Sequence, residues 1–230
     1  MASAHDLGLP PPAAVVCDLD GTLVDTVPTR VAAWLRTFAE FGIAADRDHV
    51  ASLIGSDGAW LAEQVAQRAG QPLGTADARA VDRRAGAIYG ELNTDPRPLP
   101  GVAAFLRTLE EASIPWAIAT SSRPEQVSVS VAALALAREP LVVDGLAVER
   151  AKPEPDLLMA AAERLGVAAS ACWCVGDSRW DALAAVAAGM VPVGVTTGAA
   201  SADDLRQAGA AAVVDQVDAL VSALAVVGAD

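Results

Sequence analysis

Fifteen arginines but a single lysine, Lys152, occur among the 230 residues, and the lysine stands in Ala151-Lys152-Pro153-Glu154-Pro155-Asp156. Arginine offers a planar fork, whereas lysine delivers a compact ammonium that fits against a carboxylate and a phosphoryl oxygen together. One lysine in an arginine-biased chain therefore suggests a required point charge. Two pairs of carboxylates accompany it. Asp18 and Asp20 close the apolar run Val15-Val16-Cys17, and Asp177 and Asp181 follow Cys174-Val175-Gly176. Other chemistries are poorly supplied. Histidine occurs only at His5 and His49, so a Ser-His-Asp or Cys-His mechanism would depend on His49 alone. Cys17, Cys172 and Cys174 lie inside apolar runs and read as small buried hydrophobes. Cys172 and Cys174 would share one face of a strand, but no neighbouring histidine or cysteine completes a zinc site. Catalysis here would run on carboxylates.

Such residues need a scaffold that brings them together. Apolar runs of strand length occupy residues 13–19, 115–120, 141–144, 171–176, 191–195 and 211–214, and alanine-rich helical stretches at 102–112, 124–137, 155–165, 181–188 and 202–208 lie between them. This alternation predicts an α/β fold, a Rossmann-like parallel sheet with helices on both faces. Ligands bind beyond the carboxyl ends of strands in such sheets, and Asp18, Thr120 and Asp177 all stand at such ends. Residues 27–94 break the alternation with four predicted helices, 29–41, 46–54, 59–69 and 75–92, and no strand. That stretch is close to neutral, so nearly all of the net charge of −13 belongs to the rest of the chain. Asp95-Pro96-Arg97-Pro98-Leu99-Pro100-Gly101 is stiff and turn-forming, as expected where an insertion rejoins its parent domain. The predicted organisation is a catalytic core of residues 12–26 and 95–230 with an inserted α-helical cap domain at 27–94.

Composition narrows the partners. A chain 53% hydrophobic and 20% charged describes a well-buried globular protein. Its negative charge disfavours nonspecific binding to nucleic acid or anionic lipid. No apolar stretch reaches the roughly 18 to 20 residues that a membrane span needs. The first twelve residues lack the pattern of a signal peptide, so a cytoplasmic location is expected, with the protein a monomer or homodimer.

In this order and spacing the sequence resembles the haloacid dehalogenase-like hydrolase superfamily, in its helical-cap branch of phosphoglycolate phosphatases and β-phosphoglucomutase-like proteins. Asp18-Leu19-Asp20-Gly21-Thr22-Leu23-Val24-Asp25-Thr26 is similar to the first signature motif, Thr120 to the second, Lys152 to the third and Gly176-Asp177-Ser178-Arg179-Trp180-Asp181 to the fourth. The resemblance runs from about residue 13 onward and implies phosphoryl transfer. Asp18 would be the nucleophile and form an aspartyl-phosphate. Asp20 would act as general acid and base, with its backbone carbonyl toward the metal. Thr120 and Lys152 would meet the phosphoryl oxygens, Asp177 would bind the metal, and Asp181 would stand in its outer shell. A carboxylate approaching a phosphate dianion is opposed by like charge, so a divalent cation and a lysine must cover both anions. All-oxygen ligation with retained waters fits Mg2+. Taken singly, Asp177 or Asp181 would also read as helix caps, and Gly21 and Gly176 as ordinary turn glycines.

Asp20 separates the chain from dehalogenase and phosphonate-cleaving members, which lack a carboxylate there. Arg30 stands where mutases of similar design usually carry histidine, which favours hydrolysis. Asp25-Thr26-Val27-Pro28 is similar to phosphoglycolate phosphatases, though helical-cap members share it widely. The resemblance assigns substrate choice to the inserted helices, with Gly55-Ser56-Asp57-Gly58 as a flexible substrate-facing turn, Ser121 beside it, and Arg30, Arg83 and Arg84 as candidates to meet an anionic group. Trp180 is expected to pack under the metal loop. The implied function is Mg2+-dependent hydrolysis of a small phosphomonoester, phosphoglycolate- or sugar-phosphate-like; a sugar-phosphate mutase and a non-catalytic phosphate-binding protein are the alternatives.

Overall fold

The apolar runs form six strands: β1 (Ala14–Cys17), β2 (Trp116–Ala119), β3 (Leu141–Val143), β4 (Cys172–Gly176), β5 (Val191–Val195) and β6 (Ala212–Val214). In this computed structural model, which describes residues 7–225, they pair in parallel in the order β3-β2-β1-β4-β5-β6. His5 and the start of the N-terminal stretch lie outside the described residues. Ten helices accompany the strands among the described residues. Between β1 and β2 come α1 (Val27–Glu40), α2 (Arg47–Leu53), α3 (Gly58–Arg68), α4 (Thr75–Leu92) and α5 (Val102–Glu111). After them come α6 (Pro124–Ala133), α7 (Asp156–Leu165), α8 (Arg179–Ala188), α9 (Ala202–Gln207) and α10 (Val221–Ala225). None of the described helices is long and apolar enough to cross a membrane.

Strand side chains alternate between faces, which divides the core in two. Val15, Cys17, Ile118, Trp173 and Val175 face one cluster with Phe105, Leu106 and Leu109 of α5. Ala14, Val16, Ala117, Ala119, Cys172 and Cys174 face the other, with Leu157, Leu158 and Ala161 of α7. Small residues on this second face let α7 and α8 lie close to the sheet. The three cysteines are free and buried, the environment their sequence context suggested.

The four helices α1 to α4 pack around an apolar cluster that includes Val31, Phe38, Val50, Leu61, Val65 and Val81, with Trp34 stacked on Phe38 at 5.4 Å between centroids. Their two connections to the sheet run side by side. The Asp25 N–H donates to the Arg97 carbonyl at 2.9 Å, and the Leu99 N–H to the Leu23 carbonyl at 3.0 Å.

Several boundaries differ from the sequence reading. α6 ends at Ala133, four residues early, and Ala135 turns left-handed at φ +50. α8 begins at Arg179, two residues early, because Ser178 caps it. Residues 217–225, a short 3-10 turn and α10, are helical without having been anticipated, being shorter than the window over which helical periodicity is legible.

Candidate active site

In sheet order β1 lies between β2 and β4, so successive connections leave in opposite directions and open a crevice beyond the carboxyl ends. Asp18 directly follows β1, Thr120 follows β2 and Asp177 follows β4, which delivers all three to that edge. Lys152 arrives from the connection between β3 and α7.

The Lys152 ammonium is wholly buried. It donates to Asp18 Oδ1 and to the Ala119 carbonyl, both at 2.6 Å, and lies 2.7 Å from Asp181 Oδ1, though off-axis for a hydrogen bond. Burial alone would discharge it, but Asp18 and Asp181 outweigh burial and hold it charged, above the usual lysine range. Asp181 does two things. Its Oδ2 accepts from the Ser178 N–H at 3.1 Å and hydroxyl at 2.5 Å, closing the capping box of α8, while Oδ1 faces the lysine. The capping alternative therefore holds for Asp181 alongside its place at the site.

One carboxylate oxygen each from Asp18, Asp177 and Asp181 lies within 4.8 Å of the others. Burial, with Asp181 and Asp20 adding to it against Lys152, pushes the Asp18 carboxyl up to about 7. Burial, with Asp18 and Asp181 adding to it, pushes the Asp177 carboxyl well above its usual value, despite a hydrogen bond from the Thr22 hydroxyl at 2.8 Å. One lysine does not neutralise three carboxylates. A hard dication does, and an all-oxygen cluster suits it, so these residues fit a divalent cation. Gly21, at φ +90, passes so near that an added Cβ would lie 2.5 Å from Asp177 Oδ2. That close approach, not an ordinary turn, demands glycine.

Asp20 is held from four sides. Thr26 Oγ1 donates at 2.5 Å, Ser122 Oγ at 3.0 Å and the Tyr89 hydroxyl at 3.3 Å, while Arg30 Nη2 lies 2.8 Å away. Burial pushes Asp20 upward, yet the Arg30 charge and these donors more than offset it and hold the carboxyl below its usual range. Arg30 itself lies over the Tyr89 ring at 3.9 Å. Thr120 is buried, its Oγ1 accepting from the Ser122 N–H at 3.1 Å.

Helices α1, α3 and α4 roof a cavity of about 100 Å³ over Asp18, Asp20 and Thr120. The turn Gly55-Ser56-Asp57-Gly58 lines it, but is pinned where flexibility was expected. Ser121 Oγ donates to the Gly55 carbonyl at 3.0 Å, and the Asp57 N–H to the Lys152 carbonyl at 3.1 Å. The Ser56 hydroxyl turns back to the Leu53 carbonyl at 2.7 Å. Arg84 pairs instead with Glu40 on the outer surface, and Arg83 does not line the cavity either. His49 also stands apart from it. Ser122, Arg123, Gln126, Tyr89 and Asp82 line the cavity without having been singled out. The serine and arginine continue the chain from Thr120 at the sheet edge, a signal that the strand-end rule would have found; the other three sit on helix faces that only docking reveals.

Trp180 does not pack under the metal loop. It joins the apolar cluster of α1 to α4, meets Trp60 edge-on at 5.1 Å and donates its indole N–H to the Ser52 carbonyl at 3.2 Å. Helix α8, which carries Asp181, thereby contacts the roof. Trp180→Ala should lower stability by about 3 kcal/mol and raise KM more than it lowers kcat. Thermal unfolding and steady-state kinetics would check this; an unchanged melting temperature would contradict the docking role.

Residues 12–189 match the family model of the haloacid dehalogenase-like hydrolases. The chain is similar to the probable phosphatase IndB of Dickeya dadantii (strain 3937), with 31% identity over 214 residues, 91% of this chain and 92% of that protein. It is similar to the phosphoglycolate phosphatase of Escherichia coli (strain K12), with 32% identity over 204 residues, 80% of this chain and 81% of that protein. Among solved structures, a hydrolase from Pseudomonas syringae matches with a TM-score of 0.87 and 30% identity, covering 92% of this chain and 97% of that one. With the four motifs gathered at one sheet edge and the match extending over most of its length, the chain belongs to the haloacid dehalogenase-like hydrolase family.

Proposed function

We propose that the protein is a magnesium-dependent phosphatase that hydrolyses a small phosphomonoester through an aspartyl-phosphate on Asp18. The observation that carries this reading is the Lys152 ammonium, buried between Asp18 and Asp181 beside Asp177, under a roofed cavity. Asp18, Asp177 and the Asp20 backbone carbonyl would hold the cation, which when bound would offset the carboxylate charge and draw electron density from the phosphoryl oxygens.

The chain's own groups supply the rest. Asp18 attacks phosphorus and the bond to the alcohol oxygen breaks as Asp20 gives that oxygen a proton. Water then attacks the aspartyl-phosphate, Asp20 takes its proton, and phosphate leaves with Asp18 restored. Lys152 and the Thr120 hydroxyl meet the negative charge that develops on the phosphoryl oxygens. The ion pair with Arg30 favours the base form of Asp20, which suits the second step, so the first step requires that pair to loosen. Residues 27–94 would serve as a cap that dries the site, rotating at the paired connections near Val27 and at residues 95–100.

With a generic aryl phosphate, magnesium should support release of phosphate, and excess chelator should lower the rate by at least about tenfold. Calcium, larger and less strict in geometry, should support it poorly. Full activity in chelator would defeat the mechanism. With a natural ester, free phosphate identifies a hydrolase, an isomeric ester a mutase, and neither a binding protein.

A further inference from the structure

The chain leaving β5 reaches the same sheet edge as Asp177, because β5 is the neighbour of β4. It runs through Thr196-Thr197-Gly198-Ala199, and Gly198 presses against Asp177. A Cβ added at Gly198 would lie 1.6 Å from Asp177 Oδ2 and 2.4 Å from its Cγ, where no real atom fits. The backbone of Gly198 is not left-handed, so conformation alone would admit any residue and it is space that demands glycine. Gly21 approaches the same oxygen, since a Cβ added there would stand 2.5 Å away. Asp177 thus has backbone from two loops against Oδ2, while the Thr22 hydroxyl donates to Oδ1 at 2.8 Å. The two loops are tied together: Thr197 Oγ1 donates to the Gly21 carbonyl at 2.5 Å. A second cleft, of about 90 Å³, runs down from the exposed residues Ser52, Arg179 and Ala199 to Asp177, which does not line the cavity over Asp18. Solvent on that flank leaves the turn after β5 incompletely packed, and the Thr197 hydrogen bond gives it a fixed point beside Gly198.

Resting on the reading of Asp177 as a cation ligand, we propose that Thr197 and Gly198 are positioning residues for the divalent cation, which together fix the direction in which Asp177 presents its carboxylate. Neither residue lines the substrate cavity, so their effect passes through the cation. A carboxylate held in one direction before the ion arrives loses less freedom on binding it, and the groups that orient a ligand set metal affinity by about 10- to 100-fold.

The test titrates the protein with Mn2+, a hard dication of the same ligand preference, and follows the free ion by electron paramagnetic resonance. Gly198→Ala should raise the Kd for Mn2+ by at least about tenfold. Thr197→Val should raise it about threefold or more, as expected of one lost hydrogen bond, while Thr197→Ser keeps the hydroxyl and should stay within about twofold of wild type. In Gly198→Ala and Thr197→Val, kcat on an aryl phosphate at saturating magnesium should fall less than cation affinity does. An unchanged Kd in Gly198→Ala or Thr197→Val, or a Thr197→Ser protein as weak as Thr197→Val, would overturn the proposal. So would a lower melting temperature of the cation-free variants with a loss of kcat at saturating magnesium that exceeds the loss of affinity, the mark of a merely structural role. Wild-type protein that bound no Mn2+ would remove the reading of Asp177 as a ligand, and the proposal with it. Should Gly198→Ala not fold, the comparison of Thr197→Val with Thr197→Ser decides.

Discussion

Asp18→Asn is expected to lower phosphatase turnover by at least about a hundredfold, equivalent to about 2.7 kcal/mol of lost transition-state stabilisation. An amide oxygen keeps the shape of the side chain but does not open the route through an acyl phosphate. The fold should survive. Lys152 would retain Asp181 and the Ala119 carbonyl as partners, and the crowd of carboxylates would lose one charge. The pH dependence follows from the same crowding. In metal-free protein the folded state holds the Asp18 proton up to about 7, against an ordinary 3.8, so the wild type loses stability relative to the variant as pH rises between those values. Melting temperatures from circular dichroism across that interval should show the variant gaining on the wild type. Turnover above a tenth of wild type would remove Asp18 from its assigned role.

Much of the framework was legible because it depends on local pattern. Each strand is a short apolar run between polar residues, and each of α1 to α4 lies close to its predicted span. The convergence of Asp18, Thr120 and Asp177 was equally legible, since it follows from a rule about parallel sheets and needs no knowledge of side-chain packing. What stayed hidden depends on how the roof sits on the sheet. Arg123 and Asp82 are 41 residues apart, and nothing in the period of α4 tells which face of it meets α6. Arg30 lines the cavity as the sequence reading expects, but its ion pair with Asp20 depends on how α1 docks on the sheet edge. Trp180 was legible as a large apolar residue in a polar motif, though its partner was not, because Trp60 lies on a helix of the other module.

Lys152→Arg preserves charge and changes only shape, and turnover on an aryl phosphate is expected to fall by at least about a hundredfold. The ammonium fills a slot with no solvent exposure, bounded by Asp18 Oδ1, the Ala119 carbonyl and Asp181 Oδ1, all within 2.7 Å. A guanidinium brings five N–H donors in a plane to a place with three acceptors. Its bulk would push Asp18 off the line of attack, and its unmatched donors would lie buried. Stability should fall as well, by roughly 1–3 kcal/mol for overpacking and unsatisfied donors. Lys152→Met serves as the companion variant, since it keeps the length of the side chain but leaves the carboxylates without their only lysine. If charge alone mattered, arginine would work and methionine would not; the slot geometry predicts that both fail, with arginine giving the lower melting temperature for its overpacking if the two carboxylates it displaces cannot relax. Near wild-type turnover in Lys152→Arg would show that the single lysine of this arginine-rich chain is an accident of composition.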